Sequence, residues 1–212
     1  MVSHISRTTS EMWGTQDLRS KQPSGVSFGN ENDLNFPMSV EQASAQDTSA
    51  ADEAHLKALV KYTALSFKTP YPVCFGALIV DTQSGETLMR GRNAVAREND
   101  PSAHAEVRTV RLACKKRKSY SLRGYTLYST CEPCPMCMAN ALWAGLDRVV
   151  FGATIEDANR YCRQIQIPAA ELARRSDMQC IVNGPVLREL CNTLFTDPRM
   201  QAAFATWGTR KA

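Results

Sequence analysis

A histidine, two cysteines and a glutamate stand in this chain at spacings that suit a catalytic metal. Cys134-Pro-Met-Cys137 sets two thiolates one helical turn apart, so both face one side of a helix start. Zinc that keeps a position open for water takes three protein ligands, so a third must come from elsewhere. The chain has three histidines: His4 in a polar stretch, His55 beside an apolar helical stripe, and His104 near the beginning of its own helix. His104 is the strongest candidate. Glu106, two residues on, projects beside the ligand and is poised to touch water at the metal without binding the metal. Two helix N-termini meeting there favour thiolate and hydroxide through their positive ends. The competing reading is a closed structural zinc site with Cys131 as fourth ligand. Such a site has no use for Glu106, and Cys131 precedes the predicted helix.

The elements that must position these residues follow from periodicity. Leu56, Leu59, Val60, Thr63, Ala64 and Phe67 recur at helical spacing, with Ser49 and Asp52 as start signals and Pro70 and Pro72 as stops. Phe75–Asp81 and Glu86–Gly91 read as a β-hairpin turning at Thr82–Gly85. Asp100-Pro-Ser102 opens a second helix to about Lys116, with Ser102 expected as its N-cap. Tyr125–Thr130 reads as a third strand. A third helix runs from Glu132–Pro135 through Ala144, with Pro135 suited to a first helical position. Arg148–Gly152 and Gln179–Val182 supply strands four and five around the helical segment Ala169–Arg175. Val186–Phe195 and Pro198–Trp207 read as closing helices. This order predicts an α/β sheet with helices on both faces and a parallel crossover from Tyr125 to Gly152.

Composition sets the outer bounds. The chain of 212 residues is 43% hydrophobic and 22% charged, which suits one soluble domain with an appendage. Residues 1–50 are polar and aperiodic and read as a disordered extension, which Met12, Trp13, Phe28 and Phe36 could anchor locally; 51–212 form the expected domain. No run suits a membrane span or a signal peptide, so a cytoplasmic location is expected. Of the eight cysteines, Cys131, Cys134 and Cys137 cluster while the rest are scattered through apolar stretches, a pattern for metal ligation rather than disulfides. A net charge of +4 implies no nucleic acid by itself. The run Arg108–Arg123 holds seven basic residues and no acidic one, read either as a solvated helix end or as a phosphate-contacting patch.

Asn99-Asp-Pro-Ser-Ala-His-Ala-Glu-Val107 and Ser129-Thr-Cys-Glu-Pro-Cys-Pro-Met-Cys137 resemble the cytidine/deoxycytidylate deaminase superfamily. The likeness spans roughly residues 52–195 and is closest to the branch of bacterial guanine deaminases and tRNA adenosine deaminases. It implies a three-layer α/β/α sandwich with a five-stranded mixed sheet, a homodimer, a Zn2+ cofactor, and release of ammonia from a base or nucleoside. In that chemistry zinc brings its water to a pKa of about 7. Glu106 takes the water proton, protonates a ring nitrogen and helps deliver a proton to departing ammonia.

The resemblance also carries substrate positions. Phe75 packs on the base and Asn93 bonds its ring edge, while backbone groups of Ala105 and Glu132 add contacts. The family usually has Pro where this chain has Cys74. Trp143 and the string Thr130-Cys-Glu-Pro-Cys134 lean toward guanine deaminases; Arg148–Ala153 leans toward the tRNA enzymes. Past Ala153 the chain follows neither, and Asp157 or Tyr161 is expected to meet substrate or else to cap and pack. The favoured reading is a deaminase of a free base or nucleoside, guanine-type purines first. A tRNA adenosine deaminase, supported by the basic run and Arg174-Arg175, is the alternative partner class. A non-catalytic binding protein on this fold comes third.

Overall fold

The computed structural model describes residues 50–207. Residues 1–49 of the expected extension, with His4, Met12, Trp13, Phe28, Phe36 and the start signal Ser49, lie outside the described residues, and Ala50 begins the first helix. Helix α1 (Ala50–Ala64) tightens into a 3-10 turn (Leu65–Lys68) and ends before Pro70 and Pro72. Strands β1 (Gly76–Asp81) and β2 (Thr87–Arg92) form the hairpin, followed by a short helix α2 (Val95–Glu98) and by α3 (Ala105–Arg117). Then come β3 (Tyr125–Cys131), α4 (Pro135–Trp143), β4 (Arg148–Ala153), α5 (Ile155–Asn159), α6 (Ala169–Arg175), β5 (Ile181–Asn183), α7 (Arg188–Thr196) and α8 (Pro198–Trp207).

The sheet has the order β2-β1-β3-β4-β5. β1 is antiparallel to both β2 and β3, while β3, β4 and β5 run parallel. Because β1 opposes both its neighbours, β2 and β3 point the same way. The segments that follow them therefore leave from the same end of the sheet. β1 is buried on both faces, so alternate side chains enter different layers. Ala77 and Ile79, with Leu127 and Val149, pack against Val110 and Ala113 of α3 and Met138 and Ala141 of α4. Leu78 and Val80, with Tyr128 and Val150, pack against Leu56 and Leu59 of α1. The result is the α/β sandwich with a mixed five-stranded sheet. Among the described residues no helix is long and apolar enough to cross a membrane.

Several boundaries differ from the sequence reading, each for a local reason. Ser102 does not cap α3: its Oγ donates to Asp100 Oδ1 at 2.7 Å, and the helix starts at Ala105 with His104 as its N-cap. α2 and α5, of four and five residues, are too short to register as periodic. Thr154 and Asp157 nevertheless form a capping box at α5, with each side chain accepting from the other's backbone N–H. The fifth strand lies slightly later, at Ile181–Asn183.

Two buried carboxylates lock the layers together. Asp52 of α1 takes two hydrogen bonds from Arg148 of β4 at 2.7 and 2.8 Å and one from Tyr128 of β3 at 2.7 Å. Asp157 of α5 takes two from Arg188 of α7 at 2.7 and 2.8 Å. The Arg188 guanidinium holds the Asp157 carboxyl well below the usual carboxylate range. Stability from a depressed carboxylate is fully present above its unfolded pKa of about 4 and is lost as pH falls toward the folded value. Arg188→Gln is therefore expected to move the acid-unfolding midpoint to higher pH, followed by circular dichroism; an unchanged midpoint means that the pair adds nothing to stability.

Candidate active site

His104 follows β2 and Cys134 follows β3, so the sheet topology brings both to one end. Each is the N-cap of its helix, in extended backbone (φ −63°, ψ 154° and φ −62°, ψ 165°), just before α3 and α4 turn. Pro135 occupies the first turn of α4, where a missing N–H costs nothing. The Asp100 carboxylate holds the loop before His104 by accepting from the Ser102 N–H at 2.8 Å as well as from its hydroxyl. Gly91 lets β2 press against α3: a Cβ there would lie 2.4 Å from Thr109 Oγ1, which itself bonds the Ala105 carbonyl at 2.6 Å.

Three ligand atoms meet at this point. Cys134 Sγ lies 3.6 Å and Cys137 Sγ 3.5 Å from His104 Nδ1, and the two sulfurs are 3.5 Å apart. A tetrahedral zinc with Zn–S of about 2.3 Å and Zn–N of about 2.0 Å requires roughly 3.8 Å between sulfurs and roughly 3.5 Å from sulfur to nitrogen. The donors are thus set for zinc to within a few tenths of an ångström. His104, Cys134 and Cys137 are the group of side chains that could hold a metal among the described residues. Cys131 is not part of it; its thiol faces the Thr154 carbonyl at 3.6 Å.

Glu106 sits beside this triangle, 5% exposed. Its Oε1 accepts from Ser129 Oγ at 3.1 Å, and Cys137 Sγ approaches its Oε2 at 3.5 Å. Burial pushes the Glu106 carboxyl above the ordinary carboxylate range, against the pull of His104. The neighbouring Cys137 sulfur brings the Cys134 thiol down to about 4, with His104 also lowering it; Cys137 is pushed up by its contact with Cys134 and by burial. The bond to Cys134 likewise raises His104. The buried Glu106 carboxyl beside the two sulfurs is suited to carry a proton.

These groups open onto a cavity of about 1020 Å³. His104, Glu106, Cys134, Phe75, Asn93 and Glu132 all line it. Asn93 Oδ1 also accepts from the Val95 N–H at 3.1 Å, and the Glu132 carboxylate accepts from Ile155 N at 3.2 Å and Ala169 N at 2.9 Å. Three expected substrate residues lie outside the lining. Ala105 is fully buried, with its carbonyl on Thr109. Trp143 is 75% exposed, on the surface of α4. Asp157 is 2% exposed, engaged by Arg188 and by its own helix cap, in line with the capping role the sequence also offered. Sequence reasoning passed over Ser129, although it stands in the quoted motif, and Phe204. Neither has a spacing that distinguishes it from a core residue.

The comparisons agree with this geometry. A family model described as the cytidine and deoxycytidylate deaminase zinc-binding region matches residues 49–153. The tRNA-specific adenosine deaminase of Bacillus subtilis is 32% identical over 145 residues, 68% of this chain and 86% of that protein. The chain belongs to the cytidine/deoxycytidylate deaminase family. A second relative in this zinc-dependent deaminase family, guanine deaminase of Bacillus subtilis, is 45% identical over 84 residues, covering 40% of this chain and about half (53%) of the relative. The solved guanine deaminase from Nitrosomonas europaea shares the deaminase fold with a TM-score of 0.62 at 22% identity, over 71% of this chain and 84% of that one.

The ligand set makes a clean prediction for metal content. Cys134→Ser is expected to lose bound zinc, whereas Cys131→Ser keeps about one ion per chain, measured by atomic emission after dialysis. Zinc loss in the Cys131 variant would return that residue to the ligand shell.

Proposed function

We propose that this chain is a zinc-dependent hydrolytic deaminase that removes an exocyclic amine as ammonia from a guanine-type purine base or nucleoside. The observation that carries the reading is the buried Glu106 carboxyl set against the His104–Cys134–Cys137 triangle, at the floor of a cavity large enough for such a ligand. His104 Nδ1 and the two sulfurs would hold the zinc. Zinc bound there supplies Lewis-acid activation of water at neutral pH. Glu106 accepts a proton from that water on the carboxylate that Ser129 orients, passes it to a ring nitrogen, and returns to assist the departing amine. Phe75 packs on the base, and Asn93 supplies a polar contact from the cavity wall.

The same reading takes the protein as a cytoplasmic homodimer, which light scattering tests. A tRNA adenosine deaminase is the second reading, and the exposed cations Arg111, Lys115, Lys118 and Arg123 favour it. The rest of the basic run is less available. Arg108 bonds Glu98 and the Arg92 carbonyl, and Arg117 lies over the Tyr125 ring at 5.0 Å.

An ammonia-release panel of guanine, guanosine, cytosine, cytidine, adenine and a tRNA anticodon stem tests the reading. Turnover of guanine or guanosine is expected, and turnover of the stem alone transfers the assignment to the tRNA reading. Glu106→Gln is expected to lower kcat at least about a hundredfold while zinc stays bound. If zinc leaves with that substitution, Glu106 belongs among the ligands.

A further inference from the structure

Five aromatic rings form an unbroken chain of contacts from beside the metal cluster to the last described helix. Phe75 meets Phe195 edge-on, with centroids 5.6 Å apart. Phe195 stacks on Tyr161 at 5.5 Å, Tyr161 on Phe204 at 5.6 Å, and Trp207 closes the series edge-on against Phe204 at 5.1 Å. Phe75, Tyr161, Phe204 and Trp207 line the cavity that holds Glu106. Phe195 does not; it is buried behind them and touches Phe75, Tyr161 and Phe204 at once. The helix bearing Phe204 and Trp207 is fixed in place. Met200 is fully buried, Gln201 donates to the Phe195 carbonyl, and the Arg199 guanidinium lies 5.3 Å over the Phe67 ring.

Edge-on and offset contacts are the favourable ones between aromatic rings, so the series is a stable wall rather than an accidental crowding. Aromatic side chains have few rotatable bonds and lose little entropy on receiving a flat ligand. Neighbouring rings sit 5 to 6 Å apart by centroid, and Tyr161, Phe204 and Trp207 line the cavity in addition to Phe75. Rings beyond Phe75 reward what a substrate carries beyond the ring that presents its amine to Glu106.

We propose that Tyr161, Phe204 and Trp207, braced from behind by Phe195, are the specificity-determining wall of this site and select planar two-ring bases over one-ring bases. The inference rests on the deaminase reading above and assigns its purine preference to α8 and the segment after α5, outside the residues matched by the family model.

Two measurements test it on the full chain loaded with zinc. In steady-state assays, Phe204→Ala with Trp207→Ala is expected to raise KM for guanine roughly tenfold, the loss of about one stacked contact, with kcat changed less than about twofold. Trp207→Phe is expected to restore most of the loss in the single Trp207 background. In calorimetric titrations of the Glu106→Gln protein, the double substitution is expected to weaken guanine far more than cytosine. An equal effect on both bases, or no effect on either, overturns the wall as a selector; so does a fall in zinc content, which would show damage to the metal site. The two readings fail separately. Unchanged guanine KM in an active double variant sinks the wall and leaves the deaminase. Selective loss of guanine binding on the double substitution, with no ammonia released by the zinc-loaded chain that keeps Glu106, does the reverse.

Discussion

Everything at the active site depends on bringing the first residues of two helices to one point. His104 and Cys134 can meet because β1 runs against both of its neighbours, so β2 and β3 end at the same side of the sheet. α3 and α4 then lie on one face with their N-termini converging. That convergence places two positive helix ends around two cysteine sulfurs and a buried carboxyl, which is where negative charge is best tolerated. Gly91 belongs to the same constraint. Without a side chain there, the strand approaches closely enough to fix the height at which α3 begins.

The polar groups of the interior divide by task. Asp52 and Asp157 are each met by an arginine in two-point contact and tie helices to the sheet or to each other. Removing one partner from such a pair leaves a charge without compensation, so their value lies in specifying how the layers are seated. Glu106 has no arginine against it. It meets the Ser129 hydroxyl and the Cys137 thiol with His104 nearby, faces the cavity, and is left able to exchange a proton.

The cluster that could hold a metal was legible in the sequence because it obeys a short-range rule: a helical turn separates Cys134 from Cys137, and Glu106 follows its histidine by two residues. The sheet was legible for a similar reason, since β1, β3 and β4 are dense in apolar residues between clear turns. What escaped is non-local. That Asp157 is committed to Arg188 depends on a residue 31 positions downstream, and that Trp143 faces outward depends on which side of α4 meets the sheet. Tyr161, Phe195, Phe204 and Trp207 look individually like core residues. Only the folding of α7 and α8 back over the cavity makes them a series. The capping box at Thr154 was readable in the sequence, but a five-residue helix gives periodicity nothing to detect.

The Glu132 carboxylate bonds the first N–H of α5 with one oxygen and the first N–H of α6 with the other. The stretch from Ile155 to Ala169 is thereby clasped at both ends by a single side chain next to the metal ligands. Tyr161, Cys162, Arg163, Gln164 and Ile165, which face the cavity, all lie inside that clasp. Such a loop cannot swing aside like a door, because both its hinges share one anchor. Its two ends are fixed against the site, and the residues that face the cavity lie between them.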